Sequence, residues 1–389
     1  MLAKLYRRAL GASLICAIGF SGQVHAGYTD VVFFGDSLSD TGNVLSLTRA
    51  VGAPLFPNFT GSPGRFSNGP VWTEHLAEGL GLADSARATQ RILTSTGVVS
   101  LAQPGEAVGS NYAFGGARTG LGGSAGATTG LLGQLVAWNG SAFVNSLTRA
   151  ADRDALYVVI AGANDLRDVR SANFGTTPAD SAARAAAADS VAQGISTAVA
   201  LLAQAGARHF LLSSLPDLGK TPEAAALDGA PGGAGKKAAS TEVTLDFNAA
   251  LASKAAGVDA LFNTSFGIDL DIKLMDLYGL NEAMVNDART NGGATYGISN
   301  VDTPCINPVA PGFYFVPGST AGNNCSVSAF SDDLHPSATA HRQIGRLALA
   351  TVPEPASLPL ALGGLLLLTL SRAAASRLAF RRKPDIGRD

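Results

Sequence analysis

The tetrapeptide Gly35-Asp36-Ser37-Leu38 closes the apolar run Val31 to Phe34, which sets a hydroxyl where a buried strand opens to solvent. That position makes Ser37 a candidate nucleophile for a carbonyl. A hydroxyl of ordinary basicity needs a neighbouring base, and near neutral pH the usual one is histidine. Beyond residue 26 the histidines are His75, His209, His335 and His341. His209 opens an apolar run and reads as a partly buried, hydrogen-bonded residue. His75 and His341 fall in helical stretches and read as packing or partly exposed residues. His335 stands apart, in Ser331-Asp332-Asp333-Leu334-His335-Pro336. The proline keeps the residue before it out of the helical region and starts a helix, and a carboxylate lies three residues back. Such a turn can bring Asp332 onto one ring nitrogen while the other faces the serine, the orienting role that a triad needs. Asp333 is the competing orienter. A metal site from Asp332, Asp333 and His335 is a further alternative, but no second histidine or cysteine cluster has ligand spacing. The expectation is therefore no metal and no cofactor.

Acyl transfer also needs donors aimed at the developing oxyanion, each worth about 3 kcal/mol in the transition state. Asn111-Tyr112-Ala113-Phe114-Gly115-Gly116-Ala117 offers a glycine N–H that a substrate can approach closely. Ile160-Ala161-Gly162-Ala163-Asn164-Asp165 puts an amide just past a strand. Each has a plainer reading, as a loop and as a turn or helix cap. Gly122-Gly123-Ser124-Ala125-Gly126 satisfies the G-x-S-x-G pattern of a nucleophile elbow, but that elbow needs a strand before it and a helix after it, and glycine-rich chain surrounds Ser124.

These residues must be held by elements. Val31 to Phe34, Ala155 to Ile160 and His209 to Leu212 are short apolar runs without alternation, ending in Gly, Asn or Pro, as parallel strands covered on both faces do. Between them lie helical stretches, the clearest being Ala179 to Ala205, with Thr177 as cap, Pro178 in the first turn and Gly206 beyond the end. A last helix is expected from Pro336 to Ala350. Strand, helix and strand in succession argue a doubly wound α/β sandwich whose chemistry lies outside the carboxyl ends of the strands. Gly115 to Gly130, Leu227 to Ser240 and Asn291 to Ser326 read as long loops, with the roles of binding loop, lid or disorder left open.

Gly35-Asp36-Ser37-Leu38, Asn111 through Gly116, Gly162-Ala163-Asn164-Asp165 and Asp332-Asp333-Leu334-His335 resemble, in order, the four blocks of the GDSL or SGNH hydrolase family. Ser39-Asp40-Thr41-Gly42-Asn43, Gly64-Arg65-Phe66-Ser67-Asn68-Gly69 and Leu215-Pro216-Asp217-Leu218-Gly219 are similar to its longer lipase and esterase branch. The resemblance implies a flavodoxin-like three-layer α/β/α sandwich around a parallel sheet of about five strands. It makes Ser37 the nucleophile and, through its own N–H, the first oxyanion donor. Gly116 becomes the backbone donor, with Gly115 the neighbour onto which a one-residue shift would fall. Asn164 becomes the side-chain donor, His335 the base and Asp332 its orienter. The implied function is an exported serine hydrolase of carboxylic esters, acting on a lipid, a short acyl ester or an acylated glycan. The alternatives are an acetyl-polysaccharide deacetylase acting on matrix glycans and a non-catalytic envelope or matrix protein on the same fold.

The two ends have a different composition from the middle. Lys4, Arg7 and Arg8 precede the apolar stretch Ala9 to Phe20, and Val24-His25-Ala26 has the small-residue pattern of a cleavage site, so residues 1–26 read as a signal peptide for signal peptidase. Residues 27–351 form the hydrolase domain. In residues 352–389, Pro353-Glu354-Pro355, the uncharged stretch 356–370 and a basic end follow one another. That order is similar to the PEP-CTERM sorting signal. It implies transient membrane contact, an exosortase-type partner and delivery to the envelope, cell surface or extracellular matrix. Once the leader is removed, Cys305 and Cys325 are the remaining pair in an exported chain, and a disulfide is expected, with free buried cysteines the alternative. The 389-residue chain has formal charge -2, but residues 27–351 carry 19 basic and 27 acidic side chains, a charge of -8. A body that acidic excludes a dedicated nucleic-acid binder.

Overall fold

The computed structural model describes residues 27–140 and 147–352. The proposed signal peptide and the sorting segment beyond Val352 lie outside the described residues. Four strands, β1 (Val31–Gly35), β2 (Leu156–Ile160), β3 (His209–Ser213) and β4 (Asp271–Met275), pair in parallel in that order. Phe34 stands beside Val159, Val158 beside Leu211 and Leu212 beside Leu274. Every residue of β1 and β2 is buried, which is why these strands read as unbroken apolar runs. The edge strand β4 alternates Ile272 and Leu274 with Asp271 and Lys273, a pattern that the run-based reading passes over.

The opposite edge of β1 is not bare. Phe33 N–H donates to the carbonyl of Ser110, and the N–H groups of Tyr112 and Phe114 donate to Phe33 and Gly35, all within 3.0 Å. Residues 110–114 thus make an irregular fifth rank, and the sheet expected to have about five strands has four regular ones and this segment. Because the second rank in sequence lies on one side of β1 and the third on the other, the strand order reverses between β1 and β2. Clefts in open α/β sheets form at that switch point.

The helices are α1 (Asn43–Ala50), α2 (Trp72–Gly79), α3 (Leu131–Asn139), α4 (Ala163–Ala172), α5 (Pro178–Ala205), α6 (Pro222–Gly229), α7 (Lys236–Phe266), α8 (Leu277–Asn291) and α9 (Ala338–Thr351). Together with the sheet they make a three-layer α/β sandwich. Helix α5 starts at a reciprocal cap: Thr177 Oγ1 accepts from Asp180 N–H at 3.2 Å and the Asp180 carboxylate accepts from Thr177 N–H at 3.1 Å. It is long and apolar enough to cross a membrane by length and composition. Its buried stripe of Ala188, Val191, Ala192, Ile195, Val199 and Leu202 packs instead chiefly against α7, with α4 and α3 alongside. Helix α9 begins two residues later than expected, with Ser337 accepting from Ala340 N–H at the cap.

Of the three expected loops, 115–130 is irregular chain closed by single bridges, and 291–326 holds the short pair Ile306–Asn307 with Thr320–Ala321 and runs into a 3-10 turn at Cys325–Val327. The expectation of a loop over 227–240 is corrected: α6 runs to Gly229 and α7 starts at Lys236, so the turn is residues 230–235. Glycine and proline dominated the reading of that stretch, and the alanine and lysine after them propagate a helix once α7 packs on α5.

Candidate active site

Ser37 lies on the turn that leaves β1 toward α1. Gly35 is required at the strand end, because a Cβ there would sit 2.3 Å from the carbonyl oxygen of Ile160 in β2. The Gln134 side chain of α3 clamps that glycine, accepting from its N–H at 2.9 Å and donating to its carbonyl at 2.7 Å. Nothing in the sequence singled out Gln134. The carbonyl of Asp36 accepts the N–H groups of Ser39 and Asp40, and Asp36 Oδ1 accepts that of Leu38 at 3.0 Å. Ser37 is therefore presented by a turn with few free torsions.

The loop before α9 brings the other two groups. Ser331 N–H donates to the carbonyl of His335 at 2.8 Å, closing the turn. Inside it, Asp332 Oδ1 accepts from the N–H groups of Leu334 at 2.8 Å and His335 at 2.5 Å, and Oδ2 lies 2.7 Å from His335 Nδ1. His335 Nε2 is 2.8 Å from Ser37 Oγ. Burial pushes the Asp332 carboxyl up, but the neighbouring His335 and the bonds from its ring and backbone outweigh burial and hold the group below the usual carboxylate range. Asp333 faces elsewhere: its carboxyl meets the Tyr314 hydroxyl and its carbonyl accepts from Glu223 N–H at 2.8 Å. The imidazole of His335 is flanked by Phe66 and Phe315, with ring centroids 5.3 and 5.7 Å away. Asn68 Oδ1 accepts from Ser331 Oγ at 3.0 Å and Ala338 N–H at 2.9 Å, so the segment 66–68 holds the histidine loop from outside.

Asn164 lies in the first turn of α4, just past β2, and its Nδ2 donates to the carbonyl of Ala117 at 3.0 Å, leaving the second amide hydrogen free of that bond. Gly116 has φ +75°, and a Cβ there would meet the Ser124 side chain at 2.6 Å. Ser37, Gly115, Gly116, Asn164 and His335 line one open cleft of about 390 Å³, whose walls are Val44, Leu47, Val51, Phe56 and Phe66. A second, narrower crevice, lined by Leu38, Leu218, Leu277, Met284, Phe330 and Ile344, opens at the same serine and histidine. The arrangement can pass a proton from a hydroxyl to an imidazole while a carbonyl oxygen points at the Gly116 and Asn164 side.

Ser124 also lines the open cleft, but its hydroxyl accepts a 3.4 Å bond from Arg118 Nη1 and its N–H donates to the carbonyl of Gly116. It is neither on a strand end nor before a helix. His209 Nδ1 is 3.1 Å from Asp271 at the other end of the sheet. His341 is buried in α9, its Nδ1 accepts from Trp72 N–H at 3.3 Å, and burial pushes it down to about 3. His75 is lowered by burial as well. Cys305 and Cys325 are joined in a disulfide, Cα to Cα 5.0 Å.

The fold is thus a parallel α/β sheet with a serine past its first strand and a histidine and an aspartate hydrogen-bonded to it in line. The family model described as GDSL-like Lipase/Acylhydrolase matches residues 31–348. The chain belongs to that family and is a carboxylic ester hydrolase. It is 27% identical over 348 residues to a GDSL esterase/lipase of Arabidopsis thaliana, covering 81% of this chain and 85% of the relative. A second such esterase/lipase of that plant is 28% identical over 352 residues, covering 86% and 90%. A phosphatidylcholine-sterol acyltransferase of Aeromonas hydrophila is 29% identical over 210 residues, covering 51% of this chain and 47% of its own. The crystal structure of a lipolytic G-D-S-L family member from Veillonella parvula aligns with 83% of this chain and 97% of its own, at 12% identity and a TM-score of 0.36.

Proposed function

We propose that the protein is an exported serine esterase or lipase in which Ser37 is the nucleophile, His335 the general base and Asp332 its orienter. As Ser37 Oγ attacks the ester carbonyl, its proton passes to His335 Nε2. Asp332, held ionised, keeps the Nδ1 proton in place and stabilises the imidazolium. The oxyanion is received by the N–H groups of Ser37 and Gly116 and by Asn164 Nδ2. His335 then gives its proton to the departing alkoxide, takes one from the water that attacks the acyl carbonyl, and returns it to Ser37 Oγ as the acid leaves. The observation that carries this reading is the unbroken line from Asp332 to His335 at 2.7 Å and from His335 to Ser37 at 2.8 Å, opening onto the cleft that Gly116 and Asn164 line.

Apolar cleft walls, and relatives named as lipase and phosphatidylcholine acyltransferase, favour acyl-lipid esters among the three substrate classes. The basic leader and the small-residue site at Val24-His25-Ala26 support export, and the Pro-Glu-Pro segment with its basic end supports sorting by an exosortase-type enzyme to the envelope or matrix. The test is purified protein on short-chain chromogenic esters, phospholipid and acetylated glycan, with a serine-directed fluorophosphonate as label. Ser37→Ala is expected to lose at least about 10³-fold in rate and all labelling, while Ser124→Ala retains both. Full activity in Ser37→Ala would sink the assignment.

A further inference from the structure

The amide of Asn164 is held at both ends. Its nitrogen is tied to the carbonyl of Ala117, and its oxygen accepts from Arg167 Nη1 at 3.4 Å, one turn further along α4. The rest of that guanidinium is engaged by Glu223 at the start of α6: Nε donates to Oε2 at 3.0 Å and Nη2 donates to Oε1. Glu223 Oε2 also accepts from Arg170 Nη2 at 2.9 Å, and Arg170 is only 3% exposed. Two guanidinium groups therefore share one carboxylate beside the cleft. The Glu223 backbone N–H reaches the carbonyl of Asp333, next to Asp332, so a single network joins Asn164 to the histidine loop. Arg167 lines the open cleft together with Ser37, Gly116 and Asn164.

We propose that Arg167 is a positioning residue for the oxyanion hole, acting through Asn164, with Glu223 holding it in place. The inference rests on the reading of Asn164 as an oxyanion donor. With the amide turned over, Asn164 would present N–H to the guanidinium and its oxygen to the carbonyl of Ala117, two repulsive contacts. Arg167 and Ala117 together thus select the orientation that directs the remaining Nδ2 hydrogen to the cleft. Arg167 also polarises that donor, since a hydrogen bond accepted at Oδ1 strengthens the one given at Nδ2. Lysine is no substitute, because a single ammonium cannot hold Asn164 and the two oxygens of Glu223 in one plane.

The experiment is a double-mutant cycle on the whole protein with Arg167→Ala, Asn164→Ala and the pair, together with Arg167→Lys and Glu223→Gln. Rates on a short-chain ester, inhibition by an alkyl boronic acid that mimics the tetrahedral intermediate, and thermal melting are read for each. Arg167→Ala is expected to lower kcat about tenfold with KM within about twofold, and to weaken boronate inhibition in the same proportion. In the Asn164→Ala background, already slower by about 10², the same change should cost nothing more. Arg167→Lys and Glu223→Gln should fall between, and they carry the test if Arg167→Ala does not fold. An equal loss on both backgrounds, or a change confined to KM, would overturn the role of Arg167 alone. An Asn164→Ala variant with full activity would overturn the oxyanion reading and this inference with it.

Discussion

Asp40 shows how one buried side chain couples two parts of the site. Its Oδ1 accepts from the N–H groups of Gly42 at 2.8 Å and Asn43 at 2.7 Å, and its Oδ2 from Val44 at 3.2 Å and Gly115 at 2.9 Å. The first three cap α1. The fourth fixes the chain one residue before Gly116, so the nucleophile turn and the proposed backbone oxyanion donor share one carboxylate. Asn43 completes the joint, donating through Nδ2 to the carbonyls of Asn111 and Ala113 at 2.9 and 2.8 Å. Asp40→Asn keeps the shape but turns an NH2 toward N–H donors, leaving buried groups unpaired at a cost of about 2–4 kcal/mol. The expected outcome is a lower denaturation midpoint with an unchanged m-value, and an ester rate lowered further than the change in folded fraction accounts for. A rate that follows folded fraction alone would mean that Asp40 acts only as a cap.

At the scale of elements, the segment between Cys305 and Cys325 flanks the catalytic-site histidine from behind the cleft wall and is held in place from several sides. Phe315 packs edge-on against Phe66 at 5.9 Å and borders His335, its carbonyl accepts from Asn58 N–H at 2.8 Å, and Tyr314 reaches Asp333. The disulfide closes a loop of about 20 residues, which in the chain-entropy model stabilises the fold by about 3 kcal/mol. Cys305→Ala with Cys325→Ala, or reduction, is expected to lower the melting temperature and slow ester hydrolysis, because the aromatic flank of the histidine loosens. Unchanged melting and rate after verified reduction would show that packing alone holds the segment. Its role in shaping the site could not be read in advance, since Phe66, Phe315 and His335 are remote in sequence and no local pattern pairs them. Strands β1 to β3 and helix α5 were legible because burial on both faces and a complete cap are local signals, whereas β4 hides in an edge-strand alternation and residues 110–114 pair without any strand-like run. Ser37, Asn164 and His335 stood out because strand ends and a proline turn mark them. Arg167 did not, although its spacing of three from Asn164 on one helix was the available clue.

For the whole molecule, stability against pH is the sum of buried groups pulling in opposite directions. Burial raises Asp36 and Asp40 to about 6, so from their ordinary value near 4 up to about 6 the folded chain holds protons that the unfolded chain has released. Their contribution is full below that window and is lost as pH rises through it, about 3 kcal/mol for each group. His341, lowered to about 3, works the other way: the unfolded chain binds its proton below about 6.5 while the folded chain does not, so stability falls as pH drops. Asp332, held low by His335, likewise contributes above its ordinary range and is lost in acid. Native protein should therefore show a shallow optimum in mild acid rather than a steep limb, and the opposing terms must be separated by difference. Asp36→Asn does this, since an amide cannot ionise. Subtracting its unfolding free energy from that of the native protein at each pH cancels His341, Asp40 and the charge of -8, leaving a packing offset and the titration of Asp36. The offset is independent of pH, so the slope alone carries the prediction. The difference should move by about 2 kcal/mol against the native protein between pH 4 and 6, and stay flat from pH 7 to 8. A difference curve that is flat across pH 4 to 6 would show that Asp36 ionises in the folded chain as readily as in water.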